Sequence, residues 1–495
     1  MNIMRMRLLQ SVPVFFLVLL CCLAWDFRPV RADIVPLSSE SNPLAKMTQP
    51  RLGDLDALIE RRIIRVLVAY NKTNFFLDGP RTRGATYELM SLFDKHLNKE
   101  LKTRHLKVNM VFIPVTRDKL LPYLIQGRGD IAAASLTATS QREKEVDFTA
   151  PLYTKAKELI VTSPSAPKLS SLDSLSGKTV HVRKSSSYYQ SLQKFNKKLK
   201  TAGKAPVKIQ PVNEFLETED ILEMVNADLY QITVADDYLA NFWKKIFKNL
   251  KVHENLALRS GGDIAWAIRK NSPQLKKALD QFVRQVKVGT KLGNIISRRY
   301  FENTRFARNA LTEEDVKRFS QVVKYFKKYS TKYNFDWLMI TALAYQESGL
   351  DQSRRSPRGA VGVMQILPST AAGPPINIPD IEKLDPNIHA GVKYLRFIYD
   401  RYFKKDTMTE LNKVLFTFAA YNAGPARVAG LRSRAEKMGL DPNVWFRNVE
   451  VVAAKVIGRE TVQYVSNIFK YYLAYRQSVA KMDKRDQVKK EIKKD

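Results

Sequence analysis

The chain has 495 residues, of which 45% are hydrophobic and 26% are charged, so it is long enough for roughly three globular domains with buried cores. It carries 82 lysines and arginines against 49 aspartates and glutamates, a net charge of +33, which indicates an anionic partner such as nucleic acid, a membrane surface or an acidic polymer. The two cysteines, Cys21 and Cys22, are adjacent near the N-terminus, which excludes disulfides and thiolate chemistry in the rest of the chain.

The first 32 residues have the pattern of an export signal. Arg5 and Arg7 precede an apolar run from Leu8 to Trp25, and Val30-Arg31-Ala32 supplies small residues in a cleavage-site pattern. We interpret residues 1–32 as a signal peptide, with a retained signal anchor as the alternative because about 18 residues nearly span a bilayer. Export argues against nucleic acid as a partner. It predicts a protein of the periplasm that associates with a membrane or with the cell wall.

Two sets of alternating strands and helices follow a tether at residues 33–57, which is rich in serine and proline. The predicted strands are 63–70, 108–114, 131–134, 179–182, 207–212, 232–235 and a return strand at 261–269. The helices with defined predicted bounds are 87–97, 117–126 and 274–288. A polar break at 162–168 separates the two sets. The alternation predicts a doubly wound α/β fold with two hinged lobes over residues 58–290.

Strand patterns disappear after a connector at residues 291–311. Helical periodicity continues from Thr312 to about Ser478, so we predict an all-α domain over residues 312–478. Residues 479–495 are mostly charged and predict a solvated helix or a frayed tail.

A helix predicted from Asn334 to Gly349 places Glu347 in its last turn. Asp336 is suited to cap the start of this helix, and Gly349 is suited to end it in a left-handed conformation. The negative end of the helix dipole and burial both disfavour a carboxylate, so both raise the pKa of Glu347, as a general acid near neutral pH requires. The alternative, on position alone, is a solvent-facing glutamate at a helix end.

A series of motifs around Glu347 resembles the soluble lytic transglycosylase family. In chain order they are Gln346-Glu347-Ser348-Gly349, Ser356-Pro357-Arg358-Gly359-Ala360, Gly362-Val363-Met364-Gln365-Ile366, Ala420-Tyr421-Asn422-Ala423-Gly424 and Glu460-Thr461-Val462-Gln463-Tyr464-Val465. The resemblance covers roughly residues 312–478. It implies a lysozyme-like helical fold and cleavage of the bond between N-acetylmuramic acid and N-acetylglucosamine, with peptidoglycan glycan strands as the substrate.

The resemblance also implies roles for single residues. Glu347 would be the lone catalytic acid and then the base, and Ser356 would orient the acetamido group of the substrate. Gln365 would contact a sugar, and Tyr421 or Tyr464 would line the cleft near Glu347. Packing and loop support, with direct substrate contact as the alternative, is the expected role of Ser348, Met364 and Asn422.

One carboxylate is enough if the substrate takes part in the reaction. The acetamido oxygen would attack the anomeric carbon after Glu347 protonates the leaving oxygen, and Glu347 would then remove the proton of the 6-hydroxyl to close a 1,6-anhydro ring. Ordinary glycosidases need two carboxylates. Asp351 is therefore the candidate second carboxylate of a true hydrolase, although we expect it to be a turn residue.

Motifs in the two-lobed region resemble the family 3 periplasmic solute-binding proteins. They are Gly127-Arg128-Gly129-Asp130-Ile131, Ser135-Leu136-Thr137, Arg142 and Val146-Asp147-Phe148. The resemblance implies that Arg142 clamps a ligand carboxylate in a bidentate pair, that Ser135 and Thr137 add hydrogen bonds, and that Asp236 holds an ammonium group. Local pairing of Arg142 with the neighbouring glutamates is the alternative. The implied ligand is an amino acid or a murein stem peptide that acts as a regulator.

Three classes of function remain open. The first is a lytic transglycosylase with a regulatory binding module, since the fusion of the two domains resembles membrane-bound lytic transglycosylases. The others are a hydrolase of the same bond and a non-catalytic sensor of murein or solute. With five histidines, none paired with a carboxylate at ligand spacing, and no phosphate-binding glycine loop, we predict neither a metal site nor a cofactor. The basic surplus indicates either a solvated surface or attraction to anionic lipid or wall polymer.

Overall fold

Two α/β lobes precede an all-helical domain, as the sequence predicts. The computed structural model describes residues 47–78, 81–103, 105–308, 313–404 and 407–492. The predicted signal peptide, the tether up to residue 46, and residues 309–312 and 493–495 lie outside the described residues. Within the described ranges, no helix is both long enough and apolar enough to cross a membrane.

The first lobe is built on parallel strands. Its elements are α1 (Leu55–Arg61), β1 (Ile63–Val68), β2 (Phe76–Asp78), β3 (Arg81–Arg83), α2 (Ala85–Glu100), β4 (Asn109–Pro114), α3 (Arg117–Ile125), β5 (Ile131–Thr137), α4 (Ser140–Glu143) and β6 (Val146–Phe148). β1 pairs in parallel with β4 and with β5. All residues of β1 except Ile63 are buried, as expected for a parallel strand that is covered on both faces.

The second lobe shares one continuous sheet with the first. Its elements, and those that lead back to the first lobe, are β7 (Tyr153–Thr162), β8 (Thr179–Arg183), α5 (Ser187–Thr201), β9 (Lys208–Val212), α6 (Thr218–Asn226), β10 (Ile232–Asp236), α7 (Asp237–Lys244), β11 (Lys251–Arg269), α8 (Pro273–Val286) and α9 (Lys291–Ser297). The strand order is β4-β1-β5-β11-β7-β10-β8-β9, with β6 paired to β11. The predicted strands are confirmed to within a few residues, except that β5 and β11 are longer.

The strands that join the lobes, β7 and β11, pair with each other in antiparallel orientation. The sequence analysis did not predict β7 and included only the second half of β11. Lys155 and Lys157 are exposed in the first half of β7, and Glu254 interrupts the first half of β11, so neither segment shows a clean apolar alternation.

The helical domain surrounds a central helix that carries Glu347. Its helices are α10 (Arg305–Arg308), α11 (Glu313–Tyr333), α12 (Trp337–Ser348), α13 (Pro368–Ala372), α14 (Leu384–Ile398), α15 (Glu410–Ala423), α16 (Pro425–Lys437), α17 (Glu450–Val456) and α18 (Arg459–Ile492). Short π-helical turns lie at Arg298–Glu302 and Tyr399–Phe403, and a kink with non-helical backbone at Phe446 and Arg447 lies within Trp445–Val449. Residues 338–344 of α12 are all buried, so this helix forms the centre of the domain.

The end of α18 differs from the predicted solvated tail. Residues 479–492 continue this 34-residue helix, and Arg485, Val488 and Lys489 contact the second lobe. Arg485 and Lys489 both form ion pairs with Asp220, at the start of α6. Val488 packs against an apolar cluster of the same lobe. The acidic start of α6 neutralises these basic residues. This contact fixes residues 479–492 on the second lobe, although their composition alone predicts a solvated segment.

The helical domain also packs against the first lobe. Apolar side chains of β4 and β5 and those of α12 belong to one hydrophobic cluster. At its edge, Lys470 Nζ of α18 donates to Asn109 Oδ1 of β4 at 3.2 Å, and Arg62 pairs with Glu450. This interface brings the first lobe beside the face of the helical domain on which Glu347 lies.

Candidate active site and binding cleft

Glu347 lies in the last turn of α12, and both ends of this helix are formed as the sequence predicts. Asp336 Oδ1 accepts a hydrogen bond from the Leu338 amide at 2.9 Å, which caps the first turn. Gly349 ends the helix at a φ of 69°, in the left-handed region that glycine favours. Because α12 is buried along most of its length, it presents Glu347 in a fixed position.

The surroundings of Glu347 favour its protonated form. Burial raises the pKa of Glu347 to about 7, although a hydrogen bond from Tyr464 opposes part of this shift. Tyr464 lies on α18 and is 6% exposed. Tyr421, on α15, donates to the Met364 carbonyl at 2.7 Å, and burial, together with the charge of Glu347, raises the pKa of Tyr421. A carboxyl group that keeps its proton near neutral pH can serve as a general acid.

Glu347 opens into a groove of about 770 Å³. Asn422, at the end of α15, lines this groove, and its Oδ1 accepts a hydrogen bond from Thr461 Oγ1 at 2.7 Å. Gln346 and Asn467 also line it, and the Asn467 amide donates to Gln346 Oε1 at 3.1 Å. A volume of this size suits an extended substrate. Gln346 stands in the motif around Glu347, and Asn467 lies just after the last motif, but the motifs alone do not predict that either residue lines the groove.

The loop that follows α12 holds three of the predicted substrate residues, and none of them lines the groove. Ser356 Oγ accepts a hydrogen bond from the Ala360 amide at 3.0 Å. Gln365 Nε2 donates to two carbonyl oxygens of its own loop, at 2.8 and 3.1 Å. The Met364 side chain is fully buried against Gly391. Met364 fills the space that the missing side chain of Gly391 leaves, which gives it a packing contact between the loop and α14.

Asp351 is a turn residue, as expected. Its Oδ1 accepts hydrogen bonds from the Ser353 amide and hydroxyl at 2.9 and 2.7 Å, and the residue is exposed. Among the described residues, the other carboxylates that line the groove are Asp94 of the first lobe and Glu460 of α18. A two-carboxylate mechanism would therefore have to use one of these.

The four predicted ligand residues of the two-lobed domain all line one cavity of about 230 Å³ between the lobes. They are Ser135, Thr137, Arg142 and Asp236. The Arg142 guanidinium donates to the Thr137 carbonyl at 2.8 Å and, across the cleft, to the Ser185 carbonyl at 3.0 Å. It thus bonds to carbonyl oxygens rather than to the neighbouring glutamates. Burial, together with the charge of Arg117, lowers the pKa of Arg142 to about 10.

Asp236 lies in the same cavity as Arg142 and has an unused acceptor. Its Oδ2 accepts a hydrogen bond from the Tyr238 hydroxyl at 3.3 Å, whereas Oδ1 has no hydrogen-bond partner among the described residues. Burial, reinforced by the charge of Glu158, raises the pKa of Asp236 to about 7. A buried cation and a buried carboxyl group in one small cavity complement a zwitterion.

Three further cavity residues were missed by the sequence analysis. Ser185, Ser186 and Ser187 follow β8 and begin α5, where Ser186 caps the helix. Serines between a strand and a helix start are a recognisable signal for a polar site. Arg117 also lines the cavity and pairs with Glu217 of the second lobe at 2.8 Å, a contact that only the tertiary structure reveals.

The comparisons with known proteins agree with this two-part organisation. The family model of the transglycosylase SLT domain matches residues 324–441, and that of bacterial extracellular solute-binding proteins, family 3, matches residues 64–303. A membrane-bound lytic murein transglycosylase F of Desulfosudis oleivorans is 29% identical over 439 residues, which cover 84% of this chain and 90% of the relative. A protein of the same name from Pseudomonas fluorescens is 26% identical, covering 84% of this chain and 85% of the relative. Among solved structures, an ancestral arginine-binding protein bound to arginine aligns with a TM-score of 0.41 at 23% identity, covering 49% of this chain and 99% of that structure.

Proposed function

Because this chain is a lytic murein transglycosylase in which a family 3 solute-binding domain precedes an SLT domain, we propose that Glu347 cleaves the bond between N-acetylmuramic acid and N-acetylglucosamine without water. The products would end in 1,6-anhydromuramic acid. The observation that supports this proposal is a half-buried Glu347 with a pKa of about 7 that accepts a hydrogen bond from Tyr464 and opens into a polar groove.

The proposed reaction uses Glu347 twice. Protonated Glu347 gives its proton to the leaving glycosidic oxygen while the acetamido oxygen of the muramic acid attacks the anomeric carbon. The resulting carboxylate accepts the proton of the 6-hydroxyl, whose oxygen displaces the acetamido oxygen and closes the anhydro ring. Tyr464 stabilises the carboxylate between the two steps. We propose that Ser356 and Gln365, on the loop after α12, contact the sugar on the acetamido side.

The composition of the products tests this proposal directly. Sacculi digested with the purified full-length protein should release fragments that end in 1,6-anhydromuramic acid, which mass spectrometry identifies by the absence of one water relative to a reducing end. Reducing-end products would instead establish a hydrolase. The absence of any released fragment would favour the sensor interpretation.

The pH dependence of kcat/KM should follow the protonation of Glu347. Since its pKa is raised to about 7, the rate should fall as the pH rises through 7, by about tenfold per unit well above it. The Tyr464 hydroxyl favours the charged form, so Tyr464→Phe should move this falling limb to higher pH. Tyr471→Phe, a half-buried tyrosine on the same helix, is the matched control. If neither variant moves the falling limb of the pH profile, the group that titrates is not Glu347.

We further propose that the cleft between the lobes binds an amino acid or a murein stem peptide and that this ligand regulates cleavage. Helix α18 supports such a link, since it carries Tyr464 beside Glu347 and, roughly 30 Å further along, Arg485 on the second lobe. Movement of the second lobe would pull on the helix that holds Tyr464, and it would also shift residues 291–308 of the connector. The export pattern and the names of the relatives support a place in the periplasm at a membrane.

A further inference from the structure

The first lobe supplies one wall of the groove in front of Glu347. The groove is lined, together with the helical domain, by Lys95 of α2, by Lys107 in the loop before β4 and by Asn109 at the start of β4. Lys470 of α18 bridges the two parts through its hydrogen bond to Asn109. The groove is thus wider than a cleft formed by the helical domain alone, and the binding domain contributes to it with a face that is remote from its own ligand cavity.

This wall carries more positive than negative charge. Lys95, Lys107 and Lys470 all interact electrostatically with one carboxylate, Asp94, whose pKa is nevertheless raised because burial outweighs their effect. Burial lowers the pKa of Lys470, and the charge of Lys107 lowers it further. The single half-buried carboxyl group of Asp94 does not fully neutralise the three ammonium groups of these lysines. Another anion in the groove would therefore be favourable.

The distance from the reacting bond fits a side branch of the glycan strand. Gln463, Asn467 and Lys470 follow one another on one face of α18, and Lys470 lies about 9 Å along the helix from Tyr464. An extended peptide spans about 3.3–3.6 Å per residue, so three residues attached to the muramic acid cover the distance along α18 from Tyr464, beside Glu347, to Lys470.

We propose that Lys95 and Lys107 form, with Lys470, a subsite for the carboxylates of the stem peptide on the strand being cleaved. The inference rests on the proposed function and adds to it a preference for peptide-bearing over bare glycan strands. The solute-binding domain then has a second role, because its first lobe holds the substrate polymer while its cleft holds a small ligand.

The test compares two substrates, glycan strands that carry stem peptides and the same strands stripped by an amidase. The ratio of kcat/KM for peptide-bearing strands to that for stripped strands should exceed one in the unaltered protein. Lys95→Ala/Lys107→Ala should lower this ratio at least about threefold, as expected for two partly exposed charge pairs. Lys95→Arg/Lys107→Arg should restore it. Lys277→Ala removes an exposed lysine of α8, outside the groove, and should leave both rates unchanged.

A ratio that the double alanine variant leaves unaltered would overturn the subsite while leaving the proposed cleavage intact. If the unaltered protein cleaves neither strand, the proposed function fails, and binding of both strands to the Glu347→Gln protein decides the subsite separately. If peptide-bearing strands then sediment with the protein more than stripped strands do, and this preference depends on the lysines, the subsite is upheld. Equal binding of both strands would reject the subsite.

Discussion

Replacing Glu347 by glutamine should lower the rate of glycan-strand cleavage by at least about a hundredfold, because an amide neither donates a proton to the leaving oxygen nor accepts one from the 6-hydroxyl. The side-chain volume is nearly unchanged, and the Tyr464 hydroxyl can still donate to the amide oxygen. The loss should therefore appear in kcat, with the melting temperature and the binding of glycan strands preserved. Release of soluble fragments from sacculi is the measurement.

The second carboxylate is the point on which the two enzymatic mechanisms differ. Asp351→Asn is the matched control, since the carboxylate of Asp351 lies in an exposed turn, and this variant should keep most of the activity. Glu460→Gln is the sharper comparison because Glu460 lines the same groove as Glu347. Retention of more than a tenth of the activity fits a single catalytic carboxylate. A loss as large as that of Glu347→Gln, combined with reducing-end products, would mean hydrolysis with two carboxylates.

The local features of this molecule follow from its sequence. The cap residues Asp336 and Gly349 give both ends of α12, and these ends fix where Glu347 lies. The alternating strands and helices give the two lobes, because short buried strands flanked by amphipathic helices have few other ways to cover their apolar faces. All four predicted ligand residues reach one cavity, because Thr137 and Asp236 end β5 and β10, and the other two lie in or just after β5.

Contacts between segments that are distant in the chain could not be predicted from the sequence. Lys95 and Lys107 have the composition of ordinary surface lysines, and only the packing of α18 on β4 places them in the groove. The end of α18 is a similar case, since the attraction of Arg485 to Asp220 depends on which surfaces meet. The roles of Ser356 and Gln365 were inferred from a motif that also builds its own loop, and their hydrogen bonds serve that loop.

Replacing Arg142 by alanine should weaken ligand binding in the interlobe cleft by about 2–5 kcal/mol, which is roughly thirtyfold to several thousandfold in Kd. Arg142 is 9% exposed, and its guanidinium already donates to carbonyl groups of both lobes, so its loss would remove the partner of a ligand carboxylate and also one link between the lobes. Calorimetric titration with the twenty common amino acids and with a murein stem tripeptide is the measurement.

Arg142→Lys distinguishes the carboxylate clamp from a purely structural role. Lysine keeps the positive charge but cannot form a bidentate pair, so binding should be only partly restored, whereas a structural role would show itself as an equal loss of thermal stability in both variants.

The same variants test whether the cleft regulates cleavage at Glu347. If a bound stem peptide alters turnover in the unaltered protein, Arg142→Ala should lose that response at ligand concentrations that saturate the unaltered cleft, since a ligand that no longer binds cannot bias the position of α18. Tight binding with unchanged turnover would leave the cleft as a ligand site without control over Glu347.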